Sequence, residues 1–169
     1  ISFVEVKLKD KRGATIKRRL PNQSDQFDAL DDSALAHVDG SYRGLYGKAF
    51  EAELRPVIEM SYRRMTLVAK EGGERMTIDT RMTFNATNAG RDAAPDMFIL
   101  ETKSARGNGI ADKILRAEHL HPTKHCSKYC VGMAALGLVE KHNQFLPALR
   151  KLQIMAQPLR MVGDMRIAV

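Results

Sequence analysis

Two short stretches alternate so strictly that only a strand accommodates them. In Phe98-Ile-Leu-Glu-Thr-Lys103, Phe98, Leu100 and Thr102 fall on one face and Ile99, Glu101 and Lys103 on the other, because strand side chains point alternately to opposite sides. Residues 4–9, Val-Glu-Val-Lys-Leu-Lys, repeat the pattern, with Val4, Val6 and Leu8 against Glu5, Lys7 and Lys9. Each stretch sets a carboxylate and an ammonium two residues apart, pointing into the same space. Two such strands predict a sheet with its apolar side on helices and its charged side around an anion.

The chain is long enough for one domain with a core of its own: 169 residues, 44% hydrophobic and 28% charged. That composition is globular and not disordered. Lys plus Arg outnumber Asp plus Glu by 27 to 20, a net charge of +7. The excess favours polyanionic partners: nucleic acid, polyphosphate, nucleotides or an acidic membrane surface. Nucleic acid fits poorly. Four tyrosines, six phenylalanines and no tryptophan give no stacking platform, and no groove-reading helix motif is present. Two cysteines exclude a disulfide scaffold. Without an apolar run of 18 residues or a signal peptide, no membrane span is expected, and a soluble cytoplasmic protein is.

In chain order, a strand over 2–9, a turn at Asp10–Gly13 and a return over 14–20 predict a hairpin. Lys17 and Arg19 share a face of the return, with Arg18 opposite. The polar segment 21–40 predicts short helices, one around Gln26 to Ala36, and Gly44 and Gly47 argue against a long element over 41–53. A strand is predicted over 54–70 with Pro56 at its start, then a turn at Glu71–Glu74 and a strand over 75–84. Arg75, Thr77, Asp79 and Arg81 are expected on one side of it. Residues 85–95 read as a small-residue loop. Helices are predicted over 110–118 and from Ser127 to about Glu140, the latter with Val131, Ala135 and Leu138 on its apolar face. Helical periodicity continues over 145–155. Strands first and helices last is an α+β order.

The charged faces collect Lys7, Lys9, Lys17, Arg19, Arg75, Arg81 and Lys103, with Glu5, Asp79 and Glu101 among them. If the sheet curls, these side chains converge on an anionic guest. Phosphate chains fit, since arginine forks bind them bidentately and lysine adds point charge. A carboxylate in the same space would hold a divalent cation. Solvated strand faces give the same pattern, and the pattern alone admits both. His119, His121, His125, Cys126 and Cys130 crowd together but match no common zinc spacing, so the cysteines read as small apolar helix residues.

Four blocks bear on the choice: Glu5-Val-Lys7 with Lys17-Arg-Arg19; Tyr62-Arg-Arg64; Arg75-Met-Thr-Ile-Asp-Thr80; and Leu100-Glu-Thr-Lys103 followed by Ser127-Lys-Tyr129. In this order and spacing, over about residues 3–140, they resemble the VTC domain. That domain is the polyphosphate polymerase branch of the triphosphate tunnel metalloenzymes, in the CYTH-like superfamily. The resemblance implies a curled antiparallel sheet forming a tunnel-like barrel, with C-terminal helices. It also implies transfer of the γ-phosphate of ATP or another nucleoside triphosphate onto polyphosphate, with Mn²⁺ or Mg²⁺.

By position, the resemblance makes Lys7, Arg64, Arg75 and Glu101 catalytic, with Glu101 the metal ligand. Lys7, Lys17, Arg19, Arg64, Arg75, Ser127 and Lys128 become phosphate or nucleotide contacts. Arg63 points opposite to Arg64, which the motif favours. The family domain begins with further strands, so residues 1–169 are expected to form a single such domain lacking its N-terminal strands. A tripolyphosphatase or nucleoside triphosphatase of the same superfamily is the alternative enzyme. A non-catalytic module binding polyphosphate or inositol phosphates is the alternative of another class.

Overall fold

A computed structural model of the chain describes residues 2–22, 29–86, 89–93 and 96–155. They belong to two compact units, Ile1–Pro56 and Val57–Val169.

The first unit is built on an antiparallel hairpin of β1 (Phe3–Lys9) and β2 (Thr15–Pro21). Its turn is held by Asp10, whose carboxylate accepts from the backbone N–H of Arg12 (2.9 Å) and Ala14 (2.7 Å), while Gly13 takes φ 80°. The register pairs Glu5 with Arg19 and Lys7 with Lys17, so the charged face is the predicted one. Helix α1 spans Asp32–Tyr46, N-capped by Asp31, which accepts from the Ala34 N–H at 2.7 Å. It runs well beyond the predicted Ala36, and residues 23–28, where that helix was expected to begin, lie outside the described residues. Gly40 and Gly44 do not stop it, because each interior glycine costs only about 1 kcal/mol. Gly47 does, at φ 72° with its N–H on the Arg43 carbonyl, the left-handed C-terminal cap. Tyr46 donates to the Lys9 carbonyl (2.7 Å), tying α1 to β1.

The second unit is a four-stranded antiparallel sheet around β4 (Arg75–Ala86). β3 (Glu59–Val68) pairs along one edge of β4. β5 (Ala89–Asp92) and β6 (Phe98–Lys103) pair with opposite ends of its other edge. Pro56 lies before β3, and the β3–β4 turn uses Gly72 and Gly73 at φ 76° and 67°. β5 falls where a loop was predicted. Its Ala-Gly-Arg-Asp sequence lacks apolar alternation and is strand only by pairing with β4.

A bulge reorganises β4. Register passes from Ser61/Thr83 to Arg63/Thr80, leaving one extra residue in β4, and Arg81 takes φ 52°. An extra residue flips every later side chain to the other face. Met82 and Phe84 therefore join Thr77 and Asp79, all four buried, while Arg81 is exposed. Simple alternation had placed Arg81 with Asp79. The face thus becomes apolar at one end and charged at the other.

Helices follow: α2 (Ile110–Ala117), α3 (Lys128–Ala135), a 3₁₀ turn at Asn143–Phe145, and α4 (Leu146–Lys151). α3 stops short of Glu140 because Gly137 adopts φ 66° and the Leu138 N–H bonds back to the Met133 carbonyl at 2.9 Å. The core joins Met82, Phe84 and Ala93 to Val131, Ala134, Ala135 and Leu136 and to Phe145, Ala148 and Leu149. α3 therefore packs on the bulged end of the face that carries Asp79. The opposite side of the sheet, expected under helices, carries Arg63, Thr80 and Thr102 among its apolar residues and leaves Met65, Leu67 and Phe98 exposed; the bulge is what gave α3 an apolar seat on the other face.

The architecture is α+β, with antiparallel sheets and C-terminal helices. Among the described residues the strands form a two-stranded and a four-stranded sheet and close no barrel. No described helix is long and apolar enough to cross a membrane.

Candidate functional site

The cross-strand register stacks three rows on one face of the second sheet. Arg64, Asp79 and Ile99 lie opposite one another, then Thr66, Thr77 and Glu101, then Val68, Arg75 and Lys103. Directly opposed residues share a face, so this face presents Arg64, Arg75 and Lys103 with Asp79 and Glu101. Ile99, Glu101 and Lys103 lie together as their alternation predicted.

Asp79 is the hub. Its side chain is 0% exposed. Arg64 grips it with two parallel bonds, Nε to Oδ1 at 2.6 Å and Nη2 to Oδ2 at 2.8 Å. Lys128, the first residue of α3, adds an ion pair to Oδ2 at 2.8 Å. The Tyr62 ring lies 5.1 Å from the Arg64 guanidinium and 5.5 Å from the Lys128 ammonium, within cation–π range of both. The Arg64 bonds hold the Asp79 carboxyl below the usual carboxylate range against the opposing pull of burial, and Lys128 adds to the effect. The same pairing pushes Arg64 up.

Glu101 lies one row away, paired with Lys103 at 3.0 Å. Burial pushes its carboxyl up, but the Lys103 hydrogen bond and the charges of Lys103, Lys128 and Arg64 outweigh it, and the net shift is downward. Arg75, opposite Lys103, is exposed and has no salt-bridge partner among the described residues. Four cations and two carboxylates leave this face net positive. Ser127 is the N-cap of α3 without a side-chain capping bond. Of the predicted residues, Arg64, Glu101 and Lys128 thus form one electrostatic cluster, with Arg75 on the same face and Ser127 beside Lys128.

Lys7, Lys17 and Arg19 lie together on the hairpin face of the first unit. Glu5 accepts from Arg19 Nε at 2.5 Å and pairs with Lys7 at 3.1 Å, and Arg19 first, then Lys7, keep its carboxyl low. Lys17, opposite Lys7, has no salt-bridge partner among the described residues.

Two members of the cluster were not singled out from sequence. Asp79 sat among the charged-face residues and in the third family-like block. The signal that could have marked it is an acid in mid-strand between two flanking strands, where a carboxylate is retained only with partners. Tyr62 sat in the second block, and the two-residue step to Arg64 puts it on the same face. The cysteines divide: Cys126 precedes α3 and Cys130 lies within it, both half-buried against the core.

For a divalent metal, Glu101 offers one carboxylate, while both Asp79 oxygens are engaged. No described group of three or more His, Cys, Asp or Glu side chains is placed to hold a metal. This donor set fits an ion held by one carboxylate together with phosphate oxygens and water, the usual manner of Mg²⁺. It does not fit an all-protein cage.

The second unit is thus an antiparallel α+β scaffold whose cations gather on one sheet face around a buried carboxylate. The sequence profile of the VTC domain matches residues 1–137, and the chain belongs to that polyphosphate-related family. No curated protein and no solved structure shows significant similarity to it.

Proposed function

We propose that the chain is a polyphosphate polymerase, transferring the γ-phosphate of ATP onto a polyphosphate chain. The observation that carries the reading is the net-positive face of Arg64, Arg75, Lys103 and Lys128 in a chain of the VTC family. Arg64 and Arg75 bind and orient the triphosphate, and Lys7, Lys17 and Arg19 are the hairpin's phosphate contacts. Ser127 and Lys128 hold the chain at the N-terminus of α3. A terminal chain oxygen attacks the γ-phosphorus, the bond to the β,γ-bridging oxygen breaks, and ADP leaves. The protein forms no covalent bond, and its part is positioning and charge. A bound Mn²⁺ or Mg²⁺, with Glu101 as its protein ligand, would neutralise charge on the transferring group. The closed tunnel and the single-domain organisation implied by the family resemblance belong to the same proposal.

The Glu101–Lys103 ion pair favours a second reading, a polyphosphate-binding module without turnover, because it engages the carboxylate offered to the metal. The products made from ATP by the wild type separate the alternatives, and Lys128→Ala tests the chain contact. Labelled ATP is turned over by the variant and the wild type, and product length is read on a gel beside a nucleotide-binding titration. The polymerase reading expects shorter or no polymer from the variant, with ATP affinity within a few-fold. Phosphate release without polymer from the wild type indicates a hydrolase, and binding without either product indicates the binding module.

A further inference from the structure

We propose that Asp79 is a positioning residue of the anion site, a buried counter-charge that fixes the Arg64 guanidinium and the Lys128 ammonium so that the site prefers a phosphate chain over a single compact anion. The inference deepens the functional reading above and rests on the same site. It does not depend on turnover.

Arg64 and Lys128 end long side chains that sample many rotamers when unheld. They also come from different elements, β3 and the start of α3. Asp79 stands between them on the central strand, 0% exposed, with no freedom of its own. Its two oxygens take the Nε–Nη2 edge of Arg64 at 2.6 and 2.8 Å and the Lys128 ammonium at 2.8 Å. A guanidinium gripped along one edge keeps its plane and its remaining donors fixed. No described residue accepts from Arg64 Nη1, and an ammonium that gives one bond to Asp79 retains two further donors. Tyr62 braces both cations from the side. The result is a carboxylate beneath two cations, with the cations' outer donors held at a set separation. Both cations meet at Oδ2, so a single tetrahedral anion occupies that one pair of donors, whereas a chain of linked phosphates can engage the pair and extend along the same face to Arg75 and Lys103.

Charge and position then predict opposite effects on removing the carboxylate. Asp79→Asn keeps the shape but raises the net charge of the face by one, which strengthens attraction for any anion. It also frees both cations, which weakens discrimination. A residue that served only folding would lower all affinities together.

Calorimetry on the wild type and Asp79→Asn, with tripolyphosphate and with sulfate, reads the two effects separately. Melting curves check that the variant is folded. The wild type is expected to prefer tripolyphosphate; the variant should bind sulfate as well or more tightly, with the preference reduced at least fivefold. An unchanged preference in the folded variant, or none in the wild type, overturns the proposal. Should Asp79→Asn not fold, Arg64→Lys decides. It keeps the charge at a partly exposed position but cannot grip Asp79 at two points, and the same fivefold loss is expected. An unchanged ratio there overturns the proposal equally. If the wild type binds selectively yet makes no polymer, the polymerase reading falls while the role of Asp79 is still read from the ratio.

Discussion

Gly132→Ala tests the contact that sets α3, and with it Lys128, against the sheet. Helix propensity alone favours alanine in an interior position by about 1 kcal/mol. The packing opposes it: a Cβ at Gly132 would lie 2.5 Å from Phe84 Cδ1 and 2.6 Å from Ile58 Cδ1. The isoleucine methyl can rotate away. The Phe84 ring is 1% exposed inside the core, so either the ring tilts or the helix retreats, and overpacking of this kind costs about 1–3 kcal/mol. Two simultaneous contacts this short place the cost in the upper half of that range, for a net loss of about 1–2 kcal/mol. Lys128 lies one helical turn before Gly132, so a retreating helix also lengthens the 2.8 Å pair to Asp79. Urea unfolding followed by circular dichroism should show a midpoint lowered by roughly 0.5–1 M at an unchanged slope, with weaker tripolyphosphate binding. A midpoint equal to or above that of the wild type would show that α3 does not approach the sheet this closely.

Asp79 should also govern acid stability. Its folded pKa is depressed, chiefly by Arg64, so its contribution is complete above the unfolded value of about 3.9 and is lost as pH falls through the folded value. Wild-type stability measured between pH 5 and pH 2 should fall more steeply than that of Asp79→Asn; equal slopes would show the pair contributes nothing. Asp79→Ala leaves the partly exposed Arg64 and Lys128 without their counter-charge and should destabilise by about 1–3 kcal/mol, read by urea unfolding, and an unchanged midpoint would contradict the pairing. Glu101→Gln should weaken Mn²⁺ binding in the presence of tripolyphosphate, measured by electron paramagnetic resonance, while leaving the melting temperature nearly unchanged. Arg75→Ala, at an exposed position, should lower tripolyphosphate affinity and flatten its salt dependence without affecting stability, and unchanged binding removes Arg75 from the site.

What the sequence made legible was whatever depends on local period. The alternation of Phe98–Lys103 placed Glu101 and Lys103 on the face they occupy, and that of Val4–Lys9 did the same for Glu5 and Lys7. The α+β order and the start of α3 at Ser127 followed from the same kind of pattern. Non-local features did not show. β5 is strand by pairing, through residues with no strand pattern of their own. The bulge at Arg81 belongs to the β3–β4 register, and without it Phe84 would sit on the wrong face and α3 would have no seat beside Asp79. The hub role of Asp79 needs Arg64, fifteen residues earlier, and Lys128, nearly fifty later. Gly44 and Gly47 have the same composition signal, and only the left-handed conformation at Gly47 tells the helix end from its interior.

If this face joins phosphates, a phosphorus NMR time course of ATP with the protein and Mg²⁺ will record it. The γ-phosphate signal should decline, ADP appear, and mid-chain polyphosphate signal grow in proportion, with little orthophosphate. ATP that remains intact, or that yields ADP and orthophosphate alone, would contradict that role.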